Sequence, residues 1–251
     1  MKFKDLHNQD KPLLMANVWD VPSAKIAEKL NIQAIGTSSS AIASQLGYED
    51  GEKLDFLELA AIVARILRHT DLPLSVDLEA GYSRNPGRIA DNIKRLVDIG
   101  VVGINIEDSI VETERALLTA ESFAESLSTV NEILQKDHID IFINVRTDTF
   151  LLGQANATEE TIRRIRLYEN AGANGIFTPC IENESDITDI VSCTNLPINV
   201  MCMPLLPDFE TLFTLGVKRI SMGNFLYNKM YTQFEKLTAT VLSQKSFEPV
   251  F

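Results

Sequence analysis

Two carboxylates two residues apart, Asp77 and Glu79, close an apolar run in Ser75-Val76-Asp77-Leu78-Glu79-Ala80-Gly81-Tyr82. On an extended backbone such residues share a face, so both acids could reach one cation. A second apolar run, 101–106, ends in Glu107-Asp108, and a third, 141–145, ends in Arg146-Thr147-Asp148. Crowded carboxylates repel one another unless a cation lies among them, and hard oxygen donors without a histidine favour Mg²⁺ over Zn²⁺. The alternative is that these acids only cap nearby loops and helices. Arg146 is suited to a two-pronged grip on a ligand carboxylate, with a salt bridge to Asp148 or Glu107 as its structural alternative. The turn Gly36-Thr37-Ser38-Ser39-Ser40 offers N–H groups and hydroxyls to a carboxylate or a developing oxyanion, or else caps a helix.

These groups need a scaffold that brings separate strand ends together. Apolar strands at 13–17, 34–37, 74–76, 102–106, 141–145, 175–177, 198–201 and 219–221 alternate with stretches of helical periodicity, with no linker between them. The phrases Ile99-Gly100, Ala171-Gly172 and Leu215-Gly216 fit helix C-caps feeding strands. The expected fold is α/β, a (β/α)₈ TIM-type barrel forming a single domain over residues 1–251, with a short leading helix at 3–8. A doubly wound open sheet is the alternative, but it wants a glycine-rich first turn, and Asn17-Val18-Trp19-Asp20 has no glycine. In a barrel the carboxyl ends of the strands share one mouth. That mouth is expected to collect Trp19, Ser38, Ser39, Ser40, Asp77, Glu79, Glu107, Asp108, Arg146, Asp148, Asn199 and Ser221, with residues 178–180.

Some chemistries are excluded. His7, His69 and His138 fall in the leading helix or near helix ends on the far face, so histidine acid–base chemistry is not expected. No lysine ends a strand, which argues against a Schiff base. The net charge of −12, with no clustered Lys and Arg, argues against nucleic acid. No apolar run approaches a membrane span and residues 1–10 are too polar for a signal peptide, so the expectation is a cytoplasmic protein. Cys180, Cys193 and Cys202 lack metal-site spacing and read as thiols of a reducing compartment.

Taken in order, Asn17-Val18-Trp19-Asp20, Gly36-Thr37-Ser38-Ser39, Gly47-Tyr48-Glu49-Asp50-Gly51-Glu52, the Asp77 segment and Gly103-Ile104-Asn105-Ile106-Glu107-Asp108-Ser109 resemble the isocitrate lyase and phosphoenolpyruvate mutase superfamily. Asn199-Val200-Met201 and Arg219-Ile220-Ser221-Met222-Gly223 continue the likeness over nearly the whole chain. The resemblance implies a Mg²⁺-dependent enzyme, with Mn²⁺ as the alternative metal. It would make or break a C–C or P–C bond beside a 2-oxo or 2-hydroxy carboxylate, through a pyruvate-like enolate. By position, Asp77 would hold the metal with Glu79 and Glu107 nearby, mainly through water, and Asp50 would be a site acid. Ser38, with the backbone of Ser39 and Ser40, would bind carboxylate and enolate oxygens. Trp19 would line the pocket, and Arg146 and Asn199 would contact substrate. A homodimer or homotetramer, with an exchanged C-terminal helix, is also implied.

The departures narrow the reading. Residues 110–118 read IVETERALL, without the cysteine of isocitrate and methylisocitrate lyases or the loop of the phosphonopyruvate-forming mutases. Decarboxylases, hydrolases and lyases of oxaloacetate-like or substituted malate-like acids remain. The same residues are expected to cover the mouth, with Arg115 swinging in, or else to form a solvated loop. A phosphoenolpyruvate/phosphonopyruvate mutase or phosphonopyruvate hydrolase, a carboxylate-binding barrel without turnover and a phosphate-binding isomerase or aldolase barrel are the rival readings.

Overall fold

Strand β1 (Leu13–Val18) lies between β2 (Ala34–Thr37) and the last strand, so the sheet closes on itself. The structure, a computed structural model, describes residues 2–251. Around the barrel from β2 come β3 (Leu74–Asp77), β4 (Gly103–Glu107), β7 (Phe142–Arg146), β8 (Gly175–Thr178), β9 (Ile198–Met201) and β10 (Arg219–Ser221), every neighbour parallel. The expected barrel is the observed one. The strands β5 (Ser109–Val111) and β6 (Arg115–Leu117) lie outside it as an antiparallel hairpin.

The outer layer consists of α1 (Val21–Lys29), α3 (Phe56–Leu67), α4 (Pro86–Asp98), α5 (Ala120–Lys136), α6 (Ala157–Asn170), α7 (Glu184–Ser192) and α8 (Phe209–Thr214), whereas α9 (Phe225–Gln244) buries Tyr227 and leaves most of its length exposed. Helix α4 shows why these segments form. Asn85 caps it by accepting from Arg88 N at 3.1 Å, Pro86 opens the first turn, and Ile89, Ala90, Ile93 and Leu96 recur on the one face that is buried. Those side chains meet the outward-facing Leu74, Val76, Ile104 and Ile106 in the main core. A short helix, α2 (Ser39–Leu46), follows β2 where the sequence suggested a turn.

Inside the barrel the glycines make room for larger neighbours. A Cβ on Gly103 would lie 2.8 Å from the Phe3 ring, and one on Gly175 would lie 2.9 Å from Asn144 Oδ1. The leading 3₁₀ turn Phe3–His7 plugs the amino-terminal end, where His7 stacks on Phe142 with ring centroids 4.3 Å apart. Burial pushes the His7 imidazole down to about 4, so it stays neutral. A hollow of about 770 Å³ at this end is lined by Lys2, Lys4, Asp5, His7 and Asp140 among others.

Candidate active site

The carboxyl ends of the strands surround a cavity of about 250 Å³. Its lining holds Ser38, Ser39, Ser40, Asp50 and Asp77, the arginines Arg115 and Arg146 beside them, a floor of Asn17, Asn105 and Ser221, and an apolar flank of Leu151, Phe177, Pro179 and Met201.

Asp77 is the last residue of β3, and its N–H donates to Thr37 Oγ1 at 2.8 Å, which pins the strand end. Its Oδ2 accepts from Ser39 Oγ at 2.7 Å, while Oδ1 has no hydrogen-bond partner among the described residues. Ser38 caps α2, its Oγ accepting from Ala41 N at 3.3 Å, so the capping alternative holds for that hydroxyl. The first turn of α2 still faces the cavity, and a helix amino terminus favours an anion. Asn224 Nδ2 donates to Ser40 Oγ at 3.1 Å, tying this wall to the start of α9.

Arg146 takes up the salt bridges foreseen for it. Its Nε and Nη2 donate to the two oxygens of Asp148 at 2.6 and 3.1 Å, and Nη1 lies 2.8 Å from Glu107 Oε2. The register pairs Glu107 with Arg146 across adjacent strands. Arg115, carried in by the hairpin, bonds to Glu107 and places Nη1 3.2 Å from Asp148 and Nη2 3.4 Å from Asp50. Residues 110–118 therefore form a structured cover whose arginine reaches the mouth. Gly51 lets the Asp50 loop meet it: with φ of 100°, a Cβ there would lie 2.7 Å from Val111 Cβ. Burial drives the Glu107 carboxyl upward against the pull of Arg146 and Arg115. Desolvation, then the Asp77 charge, raises Asp50.

Several expected site residues do not line the cavity. Strand β3 stops at Asp77, and Glu79 has φ of 48°, so alternation no longer puts the two acids on one side. The Glu79 carboxylate turns to Glu52 N at 2.6 Å and Tyr82 Oη at 2.8 Å. Asp108 faces away from the mouth, because its neighbour Glu107 faces in. It accepts from Arg164 Nη1 at 2.9 Å, Tyr168 Oη at 2.7 Å and Asp148 N at 3.1 Å, anchoring the loop after β7 to α6. Trp19 packs on Tyr227 with centroids 5.2 Å apart in the core and lines no part of the cavity. Asn199 is fully buried beneath the floor. Asn17 and Asn105 escaped notice although alternation marks them: Asn105 falls two residues before Glu107, with Ile104 and Ile106 facing outward.

Two results are expected from this arrangement. Tyr168→Phe removes one hydrogen bond to buried Asp108 and should cost about 1.5 kcal/mol, read as a melting temperature lower by a few degrees; an unchanged melt would deny the bond. Burial raises Glu79 from 4.5 to about 7. A raised acid costs stability as pH climbs from the unfolded pKa to the folded one. Glu79→Gln, which keeps an acceptor for Glu52 N, should therefore gain on the parent in melting temperature between pH 4.5 and about 7 and hold that gain above it. A gap that does not change with pH would contradict the shift.

No three His, Cys, Asp or Glu side chains converge as a metal cage among the described residues. The donor set still fits Mg²⁺, which keeps several waters and needs only one or two carboxylates. Asp77 offers a free oxygen in the cavity, and Asp50 stands beside it.

The model of the phosphoenolpyruvate phosphomutase family matches residues 3–242. The chain belongs to this family. An uncharacterised protein of Mycobacterium tuberculosis (strain ATCC 25618 / H37Rv) is 35% identical over 233 residues, which cover 91% of this chain and 84% of that one. The oxaloacetate decarboxylase of Paraburkholderia xenovorans (strain LB400) is 28% identical over 233 residues, 89% of this chain and 75% of its own. A Burkholderia cenocepacia J2315 structure described as a candidate phosphonomutase superposes with a TM-score of 0.89 at 32% identity, covering 94% of this chain and 97% of that one. The phosphoenolpyruvate phosphomutase family membership agrees with the resemblance carried by the sequence motifs. Among the described residues, no helix is long and apolar enough to cross a membrane.

Proposed function

We propose that this chain is a Mg²⁺-dependent enzyme that cleaves or forms a C–C bond beside a 2-oxo or 2-hydroxy carboxylate, with oxaloacetate-like acids as the first class of substrate. The observation that carries the reading is the free Asp77 oxygen, facing a cavity between the first turn of α2 and the arginine pair. Similarity to an oxaloacetate decarboxylase over most of both chains supports the substrate class.

Asp77 would hold the metal, with Asp50 beside it. When bound, Mg²⁺ supplies Lewis-acid stabilisation of negative charge developing on a substrate oxygen. The N–H groups at the start of α2 and the Ser40 hydroxyl would orient the ligand carboxylate against Arg146. Asp50, paired with Arg115, would hold that arginine at the mouth. The hairpin would exclude water while charge is present. The flank of Leu151, Phe177, Pro179 and Met201 also favours a second reading, a lyase of malates carrying small alkyl substituents.

The chain would act as a homo-oligomer in the cytoplasm. Leu226, Met230, Phe234 and Leu237 on α9 are exposed, an apolar stripe that a second copy could cover. The direct test is incubation with oxaloacetate and Mg²⁺ followed by product identification. Pyruvate and CO₂ would indicate decarboxylation, oxalate and acetate hydrolysis. Turnover of neither oxaloacetate nor alkylmalates above the uncatalysed rate would overturn the assignment.

A further inference from the structure

Below the mouth the interior is polar, where such barrels usually stack Val, Ile and Leu. Arg219 of β10 reaches across the barrel, and its Nη2 donates to Asn105 Oδ1 of β4 at 3.2 Å. Asn144 Nδ2 donates to the same oxygen at 2.9 Å and to Asn199 Oδ1 at 3.1 Å. Asn199 Nδ2 in turn donates to Ser221 Oγ at 3.2 Å. A guanidinium carries only donors, so the Asn105 atom that meets it has to be the oxygen. The converging Asn144 donor requires the same. The amide orientation of Asn105 is thereby fixed, with Nδ2 directed the other way. Asn105 lines the cavity, and its Nδ2 neither meets an acceptor nor is sealed from the surface among the described residues. In register Asn105 stands beside Asp77.

Arg219 is only 2% exposed, and its Nε and Nη1 have no partner among the described residues. Burial weighs against its charge, and Asp77 is the acid that offsets this. A buried guanidinium with no bonded carboxylate costs stability, and an apolar side chain of similar size would avoid that cost. Stability alone therefore does not explain an arginine here.

We propose that Asn105 contacts the ligand, its amide N–H reading an acceptor oxygen of the bound acid, and that Arg219 is a positioning residue that, with Asn144, fixes which end of the amide faces the mouth. The inference rests on the carboxylate-site reading above and deepens it. The floor selects ligands that place a carboxylate or carbonyl oxygen at their inner end and rejects those with a methyl or an ammonium there, because a donor left unpaired in a closed site is penalised.

Calorimetric titration of the full chain with oxalate in the presence of Mg²⁺ tests this, with a melt of each variant in the same buffer. Asn105→Asp keeps an oxygen for Arg219 and gives it a counter-charge, so the melting temperature should hold or rise. Its second oxygen replaces the N–H donor, and oxalate affinity should fall tenfold or more. Arg219→Met should weaken oxalate severalfold, less than Asn105→Asp because Asn144 still donates to Oδ1, and should add no further loss to Asn105→Ala, since both act through one N–H group. Arg219→Lys, which retains a donor for Oδ1, should recover most of the affinity. Parent-like oxalate affinity in Asn105→Asp overturns the contact. An Arg219→Met variant that melts lower yet binds oxalate like the parent overturns the positioning role. A parent chain that binds no oxalate at all overturns the carboxylate-site reading itself and takes this inference with it, an outcome separate from the other two.

Discussion

Asp77→Ala should melt close to the parent in plain buffer yet lose the additional stabilisation that Mg²⁺ confers in the presence of oxalate. The reason lies in how the two carboxylate oxygens are used. Oδ2 accepts from Ser39, a bond to a charged group worth about 1.5 kcal/mol to the fold, whereas Oδ1 faces the cavity with no partner among the described residues. Removing the group takes away the charge that offsets buried Arg219 but also relieves its repulsion of Asp50 and Glu79, and the backbone N–H still bonds to Thr37, so the net change in the fold is small. What disappears is the carboxylate best placed to take a metal. Losing an outer partner of a metal site commonly costs 10–100-fold in affinity, so loss of the inner ligand should cost at least about a hundredfold. Titration of Mg²⁺ into the oxalate-saturated variant checks this; parent-like affinity would move the metal away from Asp77.

The second large effect is expected from Arg146→Lys. The guanidinium spans two carboxylates, with Nε and Nη2 on Asp148 and Nη1 against Glu107. Asp148 is fully buried and Glu107 nearly so. A lysine ammonium has the charge but lacks the planar fork, so it cannot serve both acids and still face a ligand. Charge-assisted hydrogen bonds are worth about 1.5–3 kcal/mol each, which places the loss of oxalate affinity on the order of a hundredfold. The variant should also melt lower than the parent, as Glu107 is then left to Arg115 alone. Equal oxalate affinity in the two proteins would make Arg146 purely structural.

Much of the scaffold was legible because apolar strands and amphipathic helices alternate in a period that side chains enforce locally. The barrel and its carboxyl-end mouth followed from that pattern. Detail failed where a backbone left its regular course. Glu79 was grouped with Asp77 by a strand alternation that ends one residue after Val76, and its positive φ sends the carboxylate to Tyr82. Asp108 was grouped with Glu107 although adjacent strand residues face opposite ways, and burial against Arg164 is the outcome of that rule. Depth misled at Asn199. It points inward as expected but sits a layer below the mouth, and the register that sets depth depends on pairing across the barrel. Arg115 was noticed only as a residue of a cover, because its contacts with Asp50, Glu107 and Asp148 join segments that no local periodicity connects.

The most direct measurement is a thermal melt of the full chain with oxalate, with and without Mg²⁺. Oxalate presents the paired oxygens of a pyruvate enolate, so it suits the site whichever acid is turned over. At about 100 times its dissociation constant it should add roughly 2.7 kcal/mol, a rise of several degrees for a chain of this length. A rise that requires Mg²⁺ is the expected result. No rise under either condition, or one of equal size without the metal, would contradict a Mg²⁺-assisted carboxylate site at the mouth of this barrel.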